Sequence, residues 1–401
     1  MRYIYNKNNM QGLPSLFSHL ECLECGKVFP TDKLINYCHD CVQPLVARYH
    51  LDQSIERPSW TSLDHTSMWT WFPFLPVLEK KNIISLGEGM TKVLSIETWA
   101  KKIGLKTALL MKDESSNPTG SFKARGMSAA VSKAVEHRVN HFCTPTAGNA
   151  GSALAAYAAK ARAKSSIFMP VKTPKVFEFD VQLMGAEVHR VEGSIRNAGL
   201  AMASYNQNAG AWDVSTLKEP FRLEGKKTMG YELAVQLDYH LPDVIFYPTG
   251  GGTGLIGIWK AFEEMKLMGW IQNIPSRMIA VQMAGCAPIV HAWKKGLSAS
   301  EVWPDPTETA ANGLRVPKAF GDKLILKAIK ESNGFAIEVD ENEMLLVLKE
   351  FAQAEGLFVS PEGAACLAAI KGALKLNLIN PNDKVCFIQT GSGYKYVENL
   401  L

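Results

Sequence analysis

The sequence predicts an α/β protein of two or three structural units, with mostly parallel β-sheets covered by helices on both faces. Three observations lead to this prediction. The chain has 401 residues, more than a single hydrophobic core usually holds. Its hydrophobic fraction of 47% and charged fraction of 20% are those of an ordinary globular protein. Short apolar runs alternate with longer helical patterns along most of the chain, as in parallel α/β folds.

Four of the eight cysteines form two C-x-x-C pairs near the start of the chain: Cys22 with Cys25, and Cys38 with Cys41. Two such pairs joined by a short arm have the spacing of a tetrahedral thiolate site for zinc. We therefore predict a zinc-ribbon-like module with its linker over residues 1–52. Its zinc would be structural, because four thiolates leave no position open for a substrate. A metal-free or oxidised cluster is the alternative. The other four cysteines are predicted to be buried in apolar surroundings: Cys143, Cys286, Cys366 and Cys386.

The α/β pattern follows an aromatic- and proline-rich connector. Strands are predicted at the apolar runs "TALLMK", "HFC", "SSIFMP", "EVHRVE", "DVIFYP", "RMIAVQ" and "KVCFIQ". Helices are predicted at "ARGMSAAVSKAVEH", "AGSALAAYAAKARA", "TMGYELAVQL", "TGLIGIWKAFEEMKLM" and "ENEMLLVLKEFAQAEG".

Charge and hydropathy patterns exclude several classes of protein. The formal net charge is +4 and no block of like charges stands out, so neither nucleic acid nor an anionic membrane is predicted as a partner. The longest uncharged runs contain glycine, proline and hydroxyl residues and fall short of a membrane span. The N-terminal stretch "MRYIYNKNNMQGLPSLF" lacks the apolar core and cleavage site of a signal peptide. We therefore expect a cytoplasmic protein.

The stretch "NPTGSFKARGM" places Lys123 between a turn-rich segment and a predicted helix. The positive field of a helix N-terminus disfavours a second positive charge, so this junction favours a neutral amine. A neutral lysine can attack a carbonyl and form a Schiff base. From this stretch alone, an exposed lysine on the first turn of a helix is the alternative.

Three loops follow predicted strands, where parallel sheets bind ligands. The first, residues 144–159, has small residues and one long amide, Asn149; close helix packing is the alternative. The second carries Gly250, Gly251, Gly252, Thr253 and Gly254 between a strand and a helix. Such backbone N–H groups hold a phosphate, and the loop matches neither the Walker nor the dinucleotide pattern. The third presents Thr390, whose hydroxyl can bond a ring nitrogen without protonating it, or can belong to an ordinary turn.

With these parts the sequence resembles the fold-type II pyridoxal-phosphate enzymes, and within them the threonine synthases. The resemblance covers roughly residues 85–396. Its motifs are "SLGEGMT", "NPTGSFKARGM", "TAGNAGSALAAYAA", "FRLEGKKTMGYEL", "PTGGGTG", "EGLFVSPEGAA" and "TGSGYK". The resemblance implies two doubly wound, three-layer α/β units with the active site between them. The large unit would comprise residues 53–109 and 227–401, and the small unit residues 110–226. A homodimer is implied as well.

The resemblance also implies residue roles. Lys123 would form the Schiff base with pyridoxal 5'-phosphate and move protons at the substrate's Cα and Cβ atoms. Asn149 would bond the phenolic oxygen of the cofactor, residues 250–254 its phosphate, and Thr390 its ring nitrogen. A hydroxyl at that nitrogen suits elimination and replacement better than transamination.

The family substrate is the amino acid O-phospho-L-homoserine, which reacts with water to give L-threonine and phosphate. Its carboxylate would lie on the loop that contains Thr146, Ala147, Gly148 and Asn149. Its phosphate would lie near four residues of the next segment: Ser215, Thr216, Lys218 and Arg222. Arg222 matches the phosphate-region arginine of the family most directly. Solvated surface positions are the alternative for Lys218 and Lys226.

Several positions depart from the threonine synthase pattern. Ala147 replaces the threonine of the asparagine loop, Ala124 replaces a common aspartate, and Lys92 replaces a proline. The "GGGTG" loop is more similar to that of serine/threonine dehydratases. A dehydratase (ammonia-lyase) of the same fold is therefore the alternative function. A non-enzymatic binding or regulatory protein is a third possibility, against which the intact cofactor residues argue.

Overall fold

A computed structural model describes residues 12–400. The first eleven residues of the predicted 1–52 module lie outside the described residues, as does most of the stretch from which the absence of a signal peptide is predicted. The described part of this module contains four strands: β1 (Phe17–Cys22), β2 (Val28–Phe29), β3 (Tyr37–Cys38) and β4 (Gln43–Tyr49). They form an antiparallel sheet in the order β2-β1-β4-β3. Its apolar face packs against Phe221, which belongs to the main body of the protein.

Ten further strands are described. They are β5 (Val93–Ile96), β6 (Leu109–Asp113), β7 (His141–Pro145), β8 (Lys164–Pro170), β9 (Glu187–Val191), β10 (Trp212–Asp213), β11 (Val244–Pro248), β12 (Arg277–Met283), β13 (Phe335–Val339) and β14 (Val385–Gln389). Six form a sheet in the order β13-β12-β11-β14-β6-β5, parallel except for β5. Four form a parallel sheet in the order β10-β7-β8-β9. Every residue of β11 and β14 is buried, as expected of central strands covered on both faces.

Twelve α-helices are described. They are α1 (Thr98–Lys102), α2 (Lys123–Glu136), α3 (Asn149–Lys160), α4 (Lys175–Leu183), α5 (Ile195–Ala209), α6 (Phe221–Gln236), α7 (Thr253–Leu267), α8 (Pro288–Lys294), α9 (Asp322–Glu331), α10 (Glu341–Glu355), α11 (Pro361–Lys375) and α12 (Val397–Leu400). Helices α2, α6 and α7 pack side by side at the centre of the molecule. Their close approach requires glycine: a Cβ atom at Gly225 of α6 would lie 2.0 Å from the carbonyl oxygen of Arg125 in α2.

Buried ion pairs join these central helices to the large sheet. The Arg125 guanidinium lies between the carboxylates of Glu114 and Glu232, with nitrogen–oxygen distances of 2.6 and 2.5 Å. Lys112 of β6 donates to the same Glu232 at 2.8 Å. These side chains are fully buried, and each charge has at least one opposite partner, so the network fixes α2 and α6 against the sheet.

The structure confirms the predicted α/β class with a small cysteine-rich module. The seven predicted strands correspond to β6, β7, β8, β9, β11, β12 and β14, and the five predicted helices to α2, α3, α6, α7 and α10. Helix α6 begins at Phe221, seven residues before the predicted "TMGYELAVQL". The first two turns of α6 contain charged residues but are buried. The sequence pattern did not predict this part of the helix, because charged residues of an amphipathic helix are expected on its exposed face.

The division into residues 53–109 with 227–401 and residues 110–226 stays a prediction. Strand β6, most of which was assigned to the smaller unit, pairs with β14 and β5 in the six-stranded sheet. Among the helices of residues 12–400, none combines the length and the apolar character needed to cross a membrane.

Candidate active site

A cavity of about 570 Å³ opens where three strands end. The loop after β7 contributes residues 146–150, the loop after β11 contributes residues 250–253, and Thr390 follows β14 directly. Because β11 and β14 are neighbours in the large sheet and β7 lies in the small one, the cavity lies between the two sheets. This position, beyond the carboxyl ends of parallel strands, is where such folds bind ligands. The volume is that of a small-molecule site.

Lys123 is the first residue of α2 and lines the cavity. Its Nζ atom lies 3.8 Å from the centre of the Phe122 ring. Burial and, to a smaller extent, the nearby Arg222 guanidinium together lower the pKa of Lys123 to about 7, against the opposing effect of the Glu362 carboxylate. The sequence analysis attributed a neutral amine to the helix N-terminus; here burial is the main cause. The result is an amine that is substantially neutral near pH 7, as a nucleophilic lysine needs.

The asparagine loop is held by Thr146, whose Oγ1 atom accepts the backbone N–H groups of Gly148 at 3.0 Å and Gly151 at 3.2 Å. Asn149 then begins α3. Its Nδ2 atom donates to the Tyr396 hydroxyl at 2.9 Å, and that hydroxyl donates to Glu362 Oε1 at 3.0 Å. The predicted Thr146, Ala147, Gly148 and Asn149 all line the cavity.

The glycine loop between β11 and α7 presents bare backbone to the cavity. A Cβ atom at Gly250 would lie 2.1 Å from the carbonyl oxygen of Gly313, and one at Gly251 would lie 2.6 Å from Thr216 Cγ2. Gly252 has a φ of +73°, which side chains rarely adopt, and Thr253 starts the helix. Gly254 does not line the cavity but packs beneath it against the Tyr247 ring. An anion can therefore approach the N–H groups at the start of α7 closely.

Thr390 is buried at the end of β14 and lines the same cavity. Its carbonyl oxygen accepts the backbone N–H of Phe122 at 3.0 Å, and the next residue, Gly391, pairs with Ser121. The loop that carries Lys123 is thus attached to the end of the central strand.

Of the four predicted substrate residues in the 215–222 segment, one lines the cavity and three do not. Thr216 lines the cavity. Ser215 is buried and donates its hydroxyl to Asp213, and Lys218 is half-buried away from the cavity. Arg222 is fully buried behind the lining; its Nη1 atom donates to the carbonyl oxygen of Val214 at 2.5 Å. Its Nε and Nη2 atoms have no hydrogen-bond partner in residues 12–400.

Sequence reasoning missed several cavity residues. Glu362 lies at the start of α11, and burial raises the pKa of its carboxyl group. Tyr247 and Tyr396 also line the cavity. For Lys226, the sequence left open whether the side chain lies in this site or on the solvated surface. In the structure it is fully buried and lines the cavity. The "EGKKT" and "PEGAA" motifs could have identified Lys226 and Glu362, because each motif places charged residues in a helix segment that is otherwise buried.

Three buried polar atoms that line the cavity have no hydrogen-bond partner in the described chain: Asn149 Oδ1, Tyr247 Oη and Glu362 Oε2. Unsatisfied buried polar atoms are costly, so the cavity is suited to a polar ligand rather than an apolar one. The lining combines an amine, a backbone anion cradle, an amide and a hydroxyl.

The cysteine module holds a second candidate site. The Sγ atoms of Cys22, Cys25, Cys38 and Cys41 all lie within 4.8 Å of one another. The Cys22–Cys41 sulfur separation is 3.3 Å and the Cys25–Cys38 separation is 3.7 Å. A tetrahedral metal with bonds of about 2.3 Å places its sulfurs about 3.8 Å apart. The cluster therefore fits a four-thiolate metal site. The four remaining cysteines are buried, as predicted.

The sequence is similar to known proteins over most of its length. A family model described as "Pyridoxal-phosphate dependent enzyme" matches residues 84–391. Threonine synthase from Methanosarcina acetivorans is 33% identical over 93% of this chain and 91% of its own length. Threonine synthase from Methanocaldococcus jannaschii is 32% identical over 93% of this chain and 92% of its own.

Solved structures share the fold at lower identity. Maize serine racemase superposes with a TM-score of 0.65 at 22% identity. The match covers 77% of this chain and 93% of the racemase. Threonine deaminase isoform 2 from Solanum lycopersicum superposes with a TM-score of 0.64 at 19% identity. The match covers 77% of this chain and 86% of the deaminase. The chain belongs to the family of pyridoxal-phosphate dependent enzymes, and threonine synthases are its relatives over nearly the whole sequence.

Proposed function

We propose that the protein is a threonine synthase, which converts O-phospho-L-homoserine and water into L-threonine and phosphate with pyridoxal 5'-phosphate as cofactor. The observation that carries this proposal is the similarity to threonine synthases at 33% identity over 93% of the chain. Phosphate release from O-phospho-L-homoserine, with L-threonine as the organic product, tests it.

The residues of the cavity fit the cofactor. Lys123 would hold its aldehyde carbon, the glycine loop at residues 250–254 its phosphate, Asn149 its phenolic oxygen and Thr390 its ring nitrogen. The unpartnered Oδ1 atom of Asn149 and the bare backbone at Gly250 and Gly251 support this assignment. When bound, the cofactor supplies an electron-withdrawing ring that stabilises negative charge developing next to the substrate nitrogen.

Lys123 has the properties of a proton carrier. With a pKa of about 7, its amine can accept and return a proton near neutral pH once the substrate has displaced it. Thr390 offers a hydroxyl rather than a carboxylate at the end of β14, so it does not stabilise a protonated ring nitrogen. That arrangement favours elimination and replacement at Cβ and Cγ over transamination.

Arg222 is the proposed partner of the substrate phosphate. It is a buried guanidinium, and its Nε and Nη2 atoms have no hydrogen-bond partner among the described residues. Of the neighbouring residues predicted to take part, Thr216 lines the cavity and supports this proposal, whereas Ser215 and Lys218 do not line it. The substrate carboxylate would lie on the Thr146–Asn149 loop, where Thr146 holds the backbone in place.

The four-cysteine cluster is proposed to hold one structural zinc ion. Its sulfur separations support a tetrahedral site, and no position remains open for a substrate. A homodimer and a cytoplasmic location remain predictions from the sequence.

A serine/threonine dehydratase is the alternative, favoured by the "GGGTG" loop and by Ala147. Release of ammonia from L-threonine or L-serine, without turnover of O-phospho-L-homoserine, would support it. The third possibility, a non-enzymatic binding protein, disagrees with the family membership of the chain and with a lysine, glycine loop and strand-end hydroxyl that line one cavity.

A further inference from the structure

Lys226 lies inside the molecule and has no carboxylate within ion-pair distance among residues 12–400. Apart from Lys123, which lines the cavity and is partly accessible, five lysines of the described chain are buried: Lys112, Lys133, Lys226, Lys227 and Lys260. Four of them have a carboxylate within ion-pair distance, supplied by Glu232, Glu136 or Glu224. In the part of the chain that the structure describes, Lys226 has none. Since an unpaired buried ammonium is strongly unfavourable, we expect Lys226 either to be neutral or to pair with a bound anion.

The surroundings of Lys226 are positively charged. The charged groups that face it are Lys123 at the start of α2, and Arg222 and Glu219 near the start of α6. Burial, then Arg222 and then Lys123 hold the pKa of Lys226 well below its usual value, and the smaller effect of Glu219 opposes them. An arriving phosphate would reverse this balance, because a nearby negative charge favours the protonated lysine.

The side chain of Lys226 points to the glycine loop. Its Nζ atom donates to Thr253 Oγ1 at 2.6 Å, and Thr253 is the first residue of α7. It reaches this position across Gly126, where a Cβ atom would lie 3.0 Å from Lys226 Cε. Arg222, one helical turn earlier, instead bonds Val214 in the segment next to Thr216. Neither Lys226 nor Arg222 has an ion-pair partner in the described chain, and the two side chains face different neighbours: the start of α7 and the segment next to Thr216.

We propose that Lys226 is the counter-ion of the cofactor phosphate at the glycine loop, with Arg222 left for the phosphate of the substrate. This inference rests on the proposed binding of pyridoxal phosphate in the cavity. It adds a charged side chain to a phosphate site otherwise made of backbone N–H groups and Thr253.

Cofactor affinity tests the proposal. The full-length protein would be stripped of cofactor and titrated with pyridoxal phosphate, and separately with pyridoxal, which lacks the phosphate. Lys226→Gln and Lys226→Met should weaken pyridoxal phosphate binding roughly tenfold to a hundredfold, the range of one charge-assisted contact, and leave pyridoxal binding unchanged. The phosphorus resonance of the bound cofactor should move in both variants. Lys266→Gln, which removes an exposed lysine at the far end of α7, should match wild type in every measurement.

Both variants remove an unpaired cation from the interior, so neither is expected to prevent folding, and circular dichroism of the stripped proteins checks this. Wild-type affinity for pyridoxal phosphate and an unmoved phosphorus resonance in both variants would overturn the proposal. So would unchanged cofactor affinity together with a raised KM for O-phospho-L-homoserine, which would assign Lys226 to the substrate. If wild-type protein bound no pyridoxal phosphate, the proposed function itself would fall.

Discussion

Phe122 donates its backbone N–H to the carbonyl oxygen of Thr390 at 3.0 Å. This bond attaches the residue before Lys123 to the end of the central strand β14. The backbone that carries the amine proposed to hold one end of the cofactor ring is therefore held next to the backbone that carries the hydroxyl proposed to contact the other end.

Lys123 is expected to carry the cofactor. Purified protein should be yellow, with a visible absorption band that borohydride bleaches, and Lys123→Ala should lack this band. Mass mapping of the reduced protein should place the adduct on Lys123. An adduct on another lysine, Lys226 included, would contradict the residue assignment, and colourless protein that takes up no added cofactor would contradict the cofactor itself.

The rate of Schiff-base formation should depend on pH through the pKa of Lys123, which is lowered to about 7. The neutral amine is the nucleophile, so the rate should rise as pH increases through about 7 and then level off. Because Arg222 lowers this pKa and Glu362 raises it, Arg222→Gln should shift the profile to higher pH and Glu362→Gln to lower pH. Stopped-flow absorbance after mixing stripped protein with pyridoxal phosphate measures the profile. Shifts in the same direction would contradict the charge arrangement.

Arg222 is expected to bind the substrate phosphate. Arg222→Ala should lower kcat/KM for O-phospho-L-homoserine about tenfold to a hundredfold, since a charge-assisted contact contributes roughly 1.5–3 kcal/mol. Arg222→Lys should restore only part of it, because a point charge replaces a planar fork. Steady-state kinetics measure both. Turnover of unphosphorylated serine or threonine, if present, should change little; an equal loss there would assign Arg222 a structural role.

The cysteine module is expected to bind about one zinc ion per chain, as four thiolates do in structural sites. Replacing Cys22 and Cys38 together by serine should remove the metal with little loss of cofactor colour. Metal analysis of purified protein measures the content. Protein without metal, in which all four thiols react freely while folded, would contradict the site.

Arg125 is expected to be essential for stability. Arg125→Met leaves the carboxylates of Glu114 and Glu232 with less compensation in the interior, so the free energy of unfolding should fall by about 3–5 kcal/mol. Lys101→Ala breaks an exposed pair with Glu97 and should have no measurable effect. Urea unfolding followed by circular dichroism compares the two. Equal stability of both variants would contradict the energetic role of the buried network.

The sequence was most informative where chemistry depends on local backbone. Lys123, the glycine loop and Thr390 each follow a strand or turn that can be recognised from a few neighbouring residues, and all line the cavity. Glu362 and Lys226 were not identified because they lie in helices buried on every side. There, periodicity does not reveal which face meets the cavity. Strands β5, β10 and β13 were missed because all three are edge strands, which are defined by their pairing partners. Strands β5 and β10 are also short, with four and two residues.

The substrate is tested most directly by incubating the protein with O-phospho-L-homoserine in water labelled with heavy oxygen. The proposed function predicts L-threonine whose hydroxyl carries the label, since water adds at Cβ, and release of one phosphate for each threonine. Lys123→Ala should form neither product. Protein that leaves O-phospho-L-homoserine unchanged but releases ammonia from L-threonine or L-serine would contradict the synthase and establish the dehydratase.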